Sequence, residues 1–486
     1  MKNKKSFYIT TTIPYVNADP HIGFALELVK ADVFARYQRL LGKDVFFSTG
    51  TDEYGQKIWE ASEKEGKKVQ DYVDYYAQKF LDLRDVLNLS YDNFIRTTSP
   101  GHIRAAQEFW HLCDAKGDIY KKKYRGLYCV GCERFITEKD LMEGKCSLHP
   151  NQKPEMVEEE NYFFRLSNYK KQLLEYLSSE KVIFPEWRRK EAIEYISGDM
   201  EDFSISRDKR RFSWGIPIPG DDTQVMYVWF GAFVNYISSL GWPNSDNQSR
   251  GVFEKFWLNG ETVQIAGKDM VKFQSVMWQG MLMSAGMPTT DTIVYHGFIT
   301  GEGGIKMSKS IGNVVNPNDI VAEYGTDALR YFLLREISSF EDSPFTMERF
   351  KEAYNANLAN GLGNLTSRIM KMAEVNLESR PEIPDMVLTD DWKGAIEAME
   401  KFNIQEAMKI IFKHVAELDE LIQSKQPFKL IKTNKEEAIE IIEDLVIKLH
   451  NIGQMLTPVL PETSKKIMEI AKSNKMPNEP LFLRKD

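Results

Sequence analysis

Strand-like and helix-like runs alternate through the first part of this 486-residue chain, and that alternation limits the folds open to it. The strand-like run FYITTT at 7–12 precedes a helical pattern from about 23 to 41, and VFFSTG at 45–50 precedes helices over much of 56–88. Strands and helices that alternate in this way form βαβ units and a parallel sheet. Ligands of such sheets bind outside the carboxyl ends of the strands. The pattern therefore predicts an α/β fold with a binding site at that edge.

A segment of different character interrupts this rhythm. From about residue 116 the chain contains short strand-like runs, turns and three cysteines, and it continues to the proline-rich WGIPIPG at 214–220. Core-like runs then return as MYVWFGAFVNYI at 226–237, TVQIAGKDM at 262–270 and TIVYHGFIT at 292–300. We therefore predict an insertion that splits one sheet domain.

Composition and charge argue against several classes of protein. The net charge of −8 and the pI near 5.6 argue against general coating of DNA, although a local basic patch is compatible with both. The basic start MKNKKSFYIT is too short and too polar for a signal peptide. The uncharged stretch 223–245 contains amide and serine side chains, which favours a buried strand and helix over a membrane span. Four cysteines in so long a chain do not suggest a disulfide scaffold, so we expect a reducing cytoplasm.

Strand signals end at about residue 346, and helical periodicity replaces them. Within EAIEIIEDLVIKLHNIGQML at 437–456, apolar side chains recur at helical spacing. These apolar residues are Ile441, Ile442, Leu445, Leu449, Ile452 and Leu456. We predict that the C-terminal part is a helical bundle.

The heptapeptide PHIGFAL at 20–26 stands between the first strand-like run and the first helix. The first turn of a helix presents free backbone N–H groups and a positive dipole end, which suit an anion. Gly23 leaves the backbone open to a flat ligand, and His21 could donate a hydrogen bond to a phosphate. A histidine at a helix start is also common as a purely structural residue, so the motif alone leaves both alternatives open.

The loop GEGGIKMSKS at 301–310 combines glycines with two flexible cations, Lys306 and Lys309. Such a loop suits a site where negative charge moves during a reaction, for example on a departing pyrophosphate. A solvated basic loop has the same composition, so this motif too is ambiguous when taken alone.

The cysteine spacing predicts a structural zinc site. Cys129, Cys132, Cys146 and His149 form the pattern C-x2-C-x13-C-x2-H, in which two short knuckles supply tetrahedral ligands. Cys113 lies outside the pattern and is expected to be a small buried apolar residue.

Taken together, the two motifs resemble the two signatures of class I aminoacyl-tRNA synthetases. The runs between and around them resemble the methionyl-tRNA synthetase family in order and spacing. These runs are TTTIPYVNADPHIG, TGTDEYG, EEENYFFRLS, DFSISR, WGIPIP, GKDM, KMSKSIGNVV and DALRYFLLRE. The resemblance extends from about residue 7 to LFLR at 481–484.

The resemblance implies a Rossmann-type parallel-sheet catalytic domain split by a zinc-binding connective insertion and followed by an α-helical anticodon-binding bundle. The halves of the catalytic domain would be 1–115 and 225–300, and the insertion would be 116–224. The KMSKS loop and stem-contact region would be 301–345, and the anticodon-binding domain 346–486.

The resemblance also implies roles for individual residues. Asp52 would receive the methionine ammonium group, a task that suits a fixed carboxylate. The implied methionine-binding residues are Ile13, Tyr15, Asp52, Trp229, Ala232, Phe233, Tyr236 and Met270. The implied ATP-binding residues are His21, Gly23, Gly267, Asp269, Lys306 and Lys309, of which His21, Lys306 and Lys309 would be catalytic. Core packing would explain the aromatic residues equally well, so their spacing alone does not decide.

Three residues of the helical region match positions that read the CAU anticodon in this family. Asn364 and Arg368 can read base edges, and Phe428 replaces a tryptophan that stacks on the anticodon. A solvated helix face is the alternative for Asn364 and Arg368.

Four residues depart from the motifs of the family. Phe24 replaces the second histidine of the first signature, Tyr54 and Gln274 replace two further histidines, and Gly231 replaces an aspartate. These changes leave two alternatives: an active enzyme in which other groups compensate, or a degenerate paralogue that binds tRNA or nucleotide without efficient activation. The intact Asp52, KMSKS loop, zinc pattern and anticodon positions favour the enzyme.

The prediction is a methionine–tRNA ligase that forms methionyl-adenylate from methionine and ATP and then charges the terminal ribose of tRNA(Met). The expected cofactors are one structural Zn²⁺ and the Mg²⁺ that accompanies ATP. A monomer is expected because no dimerising domain follows the bundle. A non-tRNA adenylating ligase of the same superfamily is the other enzyme class considered, and the long helical region 346–486 argues against it.

Overall fold

The structure is a computed structural model that describes residues 5–130, 134–136, 138, 141–147, 153–198, 200–243, 251–305, 307, 314–383 and 392–485. The chain divides into two compact units, and each unit is built from three separate segments. The first unit comprises Met1–Pro20, Lys43–Arg84 and Ser90–Tyr295, and the second comprises His21–Gly42, Asp85–Leu89 and His296–Asp486.

The strands of the described residues are numbered β1 to β17. They are Ser6–Thr10, Asp44–Thr51, Asn93–Arg96, Ile119–Cys129, Arg134–Ile136, Leu141–Met142, Lys145–Cys146, Glu155–Phe164, Ile183–Phe184, Phe203–Ser204, Ser206–Asp208, Pro217–Ile218, Asp221–Met226, Glu261–Gly267, Thr292–His296, Ile299–Thr300 and Ser343–Pro344.

The α-helices of the same residues are numbered α1 to α18. They are Ile22–Leu40, Gln56–Lys64, Val69–Val86, Pro100–Ala115, Lys170–Tyr176, Glu186–Ser197, Val228–Phe233, Asn235–Ser238, Trp278–Ser284, Pro317–Tyr324, Thr326–Tyr331, Met347–Ala353, Asn364–Asn376, Lys393–Glu400, Ile404–Lys425, Pro427–Leu430, Lys435–Leu456 and Pro461–Ser473. Wider, π-helical turns occupy Glu254–Leu258, Phe273–Met277, Phe332–Glu336 and Tyr354–Gly363.

A six-stranded sheet in the order β3-β2-β1-β14-β15-β9 organises the first unit. β1 pairs in parallel with both β2 and β14, and β2 pairs in parallel with β3. The strands at the centre are almost wholly buried, as in an α/β sheet covered on both faces. The α/β fold with a parallel sheet is therefore confirmed, and the carboxyl ends of β1, β2, β3 and β14 lie along one edge.

The uncharged run that begins at residue 223 is buried, as the sequence predicts. It completes β13 and then forms the short helices α7 and α8, in which Phe230 and Ile237 have no exposed surface. Cys113 on α4 belongs to the same apolar core and is also fully buried. No helix in the described ranges combines the length and the apolar character that crossing a membrane would require.

The inserted segment is built around two long antiparallel strands. The sequence indicates only short strands there. β4 pairs with β8 over ten positions, from Ile119 opposite Phe164 to Tyr128 opposite Glu155. Lys123 lies opposite Glu160 and Arg125 opposite Glu158, and such facing opposite charges stabilise an antiparallel pair. Both strands are amphipathic and largely exposed to solvent. Their many polar side chains therefore obscure the hydrophobic pattern that would predict a strand.

Helices make up the rest of the second unit beyond β17 within the described residues, as predicted. On α17 the apolar positions Ile442, Leu445, Leu449 and Leu456 are completely buried, while Ile441 is half-buried. Asn403 and Asn434 accept hydrogen bonds from the backbone N–H groups of Glu406 and Glu437, and thereby start α15 and α17. The domain boundaries expected at 115, 224, 300 and 345 stay predictions.

Candidate active site

The carboxylate predicted to hold the substrate ammonium group lies directly after β2. Asp52 is 4% exposed, and its backbone N–H donates to the Pro14 carbonyl at 2.9 Å. Val16 N–H donates back to the Asp52 carbonyl at 3.2 Å, so residues 14–16 run as an extra strand segment beside it. The carboxylate accepts from the Thr97 hydroxyl at 3.4 Å. A buried, backbone-anchored carboxylate of this kind suits one cationic group.

Glu53, Arg96 and Thr97 support this carboxylate, and none of the three is predicted from the sequence. Glu53 is fully buried and receives two hydrogen bonds from Arg96, at 2.6 and 2.9 Å. Its backbone N–H donates to Thr97 Oγ1 at 2.8 Å, which ties the end of β2 to the residues after β3. Their place at the carboxyl ends of neighbouring parallel strands is the signal that could have found them.

Aromatic side chains of the first unit stand together at the expected methionine pocket. The Tyr15 and Trp229 rings meet edge to face at 6.3 Å, and Phe233 lies 5.8 Å from Trp229. Ala232 is buried, whereas Ile13 and Met270 are only partly buried. Phe273, which is not predicted from the sequence, stacks on Trp229 at 4.3 Å. These residues form one apolar group with an edge-on tyrosine.

Tyr236 and Gln274 add a polar pair to this apolar group. The Tyr236 hydroxyl donates to Gln274 Oε1 at 3.1 Å, and both side chains are buried. Within the described part of the chain, Gln274 Nε2 and Trp229 Nε1 are buried without a hydrogen-bond partner. Such donors are typical of a site that a polar ligand completes.

Tyr54 and Gly231, two of the departures from the family motifs, each have a local packing reason. The Tyr54 ring lies 5.3 Å from Trp214, whose indole N–H donates to the Glu53 carbonyl at 2.7 Å. Burial raises the pKa of Tyr54 to about 12, so its hydroxyl stays neutral. A side chain at Gly231 would place its Cβ 3.0 Å from Ile216 Cδ1. The Cβ of an aspartate at position 231 would therefore crowd the Ile216 side chain.

Gly267 and Asp269, both predicted to bind ATP, lie on either side of Lys268 at the carboxyl end of β14. Gly267 is the last residue of the strand and is buried, whereas Asp269 is exposed in the helical turn Lys268–Met270. This position fits contact with a ligand at the sheet edge. The two catalytic lysine candidates, Lys306 and Lys309, lie outside the described residues.

His21 and Gly23 belong to the second unit and shape the start of α1. His21 Nδ1 accepts the backbone N–H of Gly23 at 3.1 Å, so the imidazole is the N-cap of the helix. A Cβ on Gly23 would lie 2.9 Å from His21 Cε1, which explains why glycine stands there. Ile22 N–H donates to the carbonyl of Val315 at 3.0 Å. The motif is thus bonded to the chain just after the lysine loop.

Two of the four predicted zinc ligands, Cys129 and Cys146, belong to the described residues. Cys129 and Cys146 are both 1% exposed and pack in one small cluster with Ile136. β6 and β7 form a hairpin whose turn residues Glu143 and Gly144 have φ angles of 53° and 76°, which delivers Cys146 at its end. Two buried thiols in one cluster fit a structural zinc centre. Cys132 and His149 lie outside the described residues, so the four-ligand site stays a prediction.

The predicted anticodon residues lie on helices of the second unit. Asn364 and Arg368 are one helical turn apart on α13, so they share a face. Asn364 is exposed, and the half-buried Arg368 donates to Asp419. Phe428 is 47% exposed on the short helix α16. An exposed amide and an exposed aromatic ring suit unstacked bases.

Comparison with known proteins shows the family to which the chain belongs. The family model described as tRNA synthetases class I (M) matches residues 7–151 and 136–370. The methionine–tRNA ligase of Fusobacterium nucleatum is 38% identical over 477 residues, which cover 96% of this chain and 74% of the relative. This chain belongs to the methionyl-tRNA synthetases of class I. The corresponding ligase of a Nostoc species is also 38% identical, over 96% of this chain and 90% of its own.

Solved structures agree with this family assignment. The methionyl-tRNA synthetase of Mycobacterium tuberculosis in complex with methionyl-adenylate is 35% identical and has a TM-score of 0.87. The match covers 96% of this chain and 93% of that one. The family and the ligase function expected from the sequence are confirmed, and the findings support an active enzyme rather than a degenerate paralogue. Methionyl-tRNA synthetases are ATP-dependent and bind methionine, ATP and tRNA.

Proposed function

We propose that this methionyl-tRNA synthetase activates methionine at the carboxyl edge of its parallel sheet and charges tRNA(Met) carrying a CAU anticodon. The observation that carries the proposal is Asp52, a buried carboxylate anchored between the backbone of residues 14–16 and Thr97. It stands in the same unit as an aromatic group in which the buried donors Gln274 Nε2 and Trp229 Nε1 have no hydrogen-bond partner among the residues that the structure describes. This combination suits an amino acid with a cationic end and an apolar side chain.

The methionine would be held at both ends. Asp52 would accept hydrogen bonds from the ammonium group, which buries the charge in a pair. Tyr15, Trp229 and Phe233 would contact the thioether side chain. An apolar wall discriminates by only about 1–3 kcal/mol per methylene, so recognition of the sulfur needs a polar group. The hydroxyl of Tyr236, held by Gln274, is the polar group that the pocket offers.

In the first step, a methionine carboxylate oxygen forms a bond to the α-phosphorus of ATP as the bond to the bridging oxygen breaks. Pyrophosphate leaves and methionyl-adenylate remains. The protein would contribute position and charge rather than a covalent intermediate. His21 would donate to a phosphate through Nε2, and Lys306 and Lys309 would stabilise the charge that develops on pyrophosphate. Mg²⁺ bound with ATP would neutralise part of the phosphate charge.

In the second step, the terminal ribose hydroxyl of tRNA would attack the acyl carbon and release AMP. Asn364, Arg368 and Phe428 would select the anticodon. One Zn²⁺ held by Cys129, Cys132, Cys146 and His149 would stabilise the inserted segment. Metal analysis of the purified protein tests whether zinc is bound. A monomer in a reducing cytoplasm is part of the same proposal, and sedimentation tests the oligomeric state.

Methionine-dependent ATP–pyrophosphate exchange is the experiment that tests activation. We expect exchange that requires methionine and falls by about 100-fold or more in Lys309→Ala, the loss that follows removal of one transition-state contact. Lys171→Ala, an exposed lysine on α5, is the matched control and should leave exchange unchanged. Folded wild-type protein that gives no exchange would overturn the proposed activity.

Charging assays test the choice of tRNA. The wild type should charge a transcript with a CAU anticodon much faster than the same transcript with a changed anticodon. Equal charging of both transcripts would contradict the anticodon assignment while leaving methionine activation intact.

A further inference from the structure

Phe24 stands where the first signature of the family usually has a second histidine, and it makes a specific ring contact. Its ring stacks on the His21 imidazole with centroids 4.3 Å apart and an angle of 28° between the planes. Stacking at this separation stabilises the two rings in addition to the stabilisation from the apolar area that they bury. The phenyl group therefore covers one face of the imidazole.

The backbone restrains the same imidazole from a second side. Gly23 N–H donates to His21 Nδ1 at 3.1 Å. Because a nitrogen that accepts this bond carries no hydrogen, the ring proton of neutral His21 belongs on Nε2. Gly23 also leaves room for the ring edge, since a Cβ there would lie 2.9 Å from His21 Cε1.

We propose that Phe24 is a positioning residue that holds the His21 ring, so that its Nε2–H stays aimed at the substrate phosphate. This rests on the proposed function of His21 in ATP activation. The phenyl side chain of Phe24 has no hydrogen-bonding group to contribute. Instead, its stacking contact and the Gly23 cap together limit rotation of the imidazole about both side-chain bonds. A hydrogen-bond donor that is already in position stabilises the transition state more than a donor that must be ordered during the reaction.

Steady-state exchange kinetics of two Phe24 variants test the proposal. Phe24→Leu removes the ring and keeps an apolar side chain, and Phe24→Tyr keeps the ring. We expect Phe24→Leu to lower kcat by about 3- to 10-fold, the factor that one aromatic stacking contact corresponds to. The KM for methionine should not change, because methionine is assigned to other residues. Phe24→Tyr should stay close to wild type.

Phe482→Leu is the matched control. Phe482 is a half-buried ring of the same unit, and it contacts Tyr354 edge to face at 6.1 Å. Its loss should lower thermal stability to a similar extent without lowering kcat. A Phe24→Leu enzyme with wild-type kcat, or a Phe24→Tyr enzyme that loses as much as Phe24→Leu, would overturn the positioning role.

A spectroscopic readout separates this inference from the proposed function, because it needs no activity. With ¹³C-labelled histidine, the His21 Cε1–H resonance, assigned with His21→Gln, should be shifted upfield by the Phe24 ring current. Phe24→Leu should remove that shift. A wild-type resonance at an ordinary position contradicts the stacking, whereas an upfield resonance in a protein without exchange contradicts only the proposed function.

Discussion

At the scale of single residues, the carboxylate of Asp52 has the most direct proposed role in binding methionine. Asp52→Asn keeps the shape of the side chain but removes its charge, so the ammonium group of methionine loses its ion-pair partner and bonds only to a neutral amide oxygen. Such a change costs about 1.5–3 kcal/mol, and we expect the KM for methionine to rise by about 10- to 100-fold. The KM for ATP should change little. Exchange kinetics at varied methionine and ATP concentrations measure both values.

Asp19→Asn is the matched control for this prediction. Asp19 belongs to the same unit and is half-exposed, and its carboxylate pairs with Lys79 at 2.5 Å. The loss of a surface ion pair is worth about 0–1 kcal/mol, so its methionine kinetics should match wild type. An Asp52→Asn enzyme with the same unchanged kinetics would contradict the assigned role of Asp52.

At the scale of packed elements, α4 and α8 meet through a buried histidine. His102 Nδ1 lies 2.9 Å from the Ser238 hydroxyl, and the residue is 1% exposed. Burial lowers the pKa of His102 to about 4 from its ordinary value of 6.5. Between these two values the unfolded chain binds a proton that the folded chain does not. Stability should therefore fall as the pH drops from 6.5 to 4, by about 3 kcal/mol from this residue.

The acid dependence of thermal unfolding tests this prediction. In His102→Gln, a neutral side chain replaces the titrating one, so the melting temperature should fall less steeply below pH 6.5 than in wild type. His111→Gln on the same helix is the control, because His111 is exposed and should not alter the slope. Parallel slopes in wild type and His102→Gln would contradict the assignment.

A buried ion pair joins α1 to α11 in the second unit. Arg330 and Asp32 are both 0% exposed and lie 2.8 Å apart, and Arg330 also donates to the carbonyls of Leu87, Pro458 and Val459. Arg330→Met would leave a buried carboxylate supported mainly by Arg36, at 2.8 Å. We expect a loss of about 3–5 kcal/mol of stability.

Urea unfolding of three variants measures this loss. The double variant Asp32→Asn, Arg330→Met should recover part of it, because no unpaired charge remains. Arg335→Met is the control, since Arg335 is only half-buried and pairs with its neighbour Glu336. If Arg330→Met unfolded at the same urea concentration as Arg335→Met, the ion pair would have no such effect.

The sequence predicts the elements better than it predicts their partners. FYITTT and VFFSTG become β1 and β2 within a residue or two, because both runs are rich in the aromatic and β-branched residues that favour strands. The same sequence shows neither the pairing of β4 with β8 nor the contact of Arg96 with Glu53, which is 43 residues away in the chain. Register and long-range ion pairs depend on tertiary packing, and no local pattern records them. Asp52 could be predicted from the sequence because it follows a strand in a recognisable motif.

At the scale of the whole molecule, activation and tRNA selection are assigned to different sets of residues. Arg368 is in the second unit, where it donates to Asp419, and the residues proposed to bind methionine are in the first. Arg368→Ala should leave methionine-dependent exchange at the wild-type rate. It should lower charging of tRNA by about 5- to 150-fold, since a base-edge contact is worth about 1–3 kcal/mol. Comparison of the two assays on one preparation measures the separation.

Arg380→Ala is the control for this prediction, because Arg380 is an exposed arginine beyond α13. It should leave both assays unchanged. An Arg368→Ala enzyme that loses exchange and charging together would show that Arg368 does not act on tRNA alone.

The discontinuous second unit has a consequence for the order in which the protein folds on the ribosome. α1 is made early, but its buried Lys30 donates to the carbonyls of Ser338 and Ser339, which follow 308 and 309 residues later. At about 5–20 residues per second, that interval is about 15–60 s of synthesis. Throughout that time the polar side chains of α1 must stay hydrated or be shielded by another protein. α1 can therefore reach its final packing only after Ser338 and Ser339 have been made.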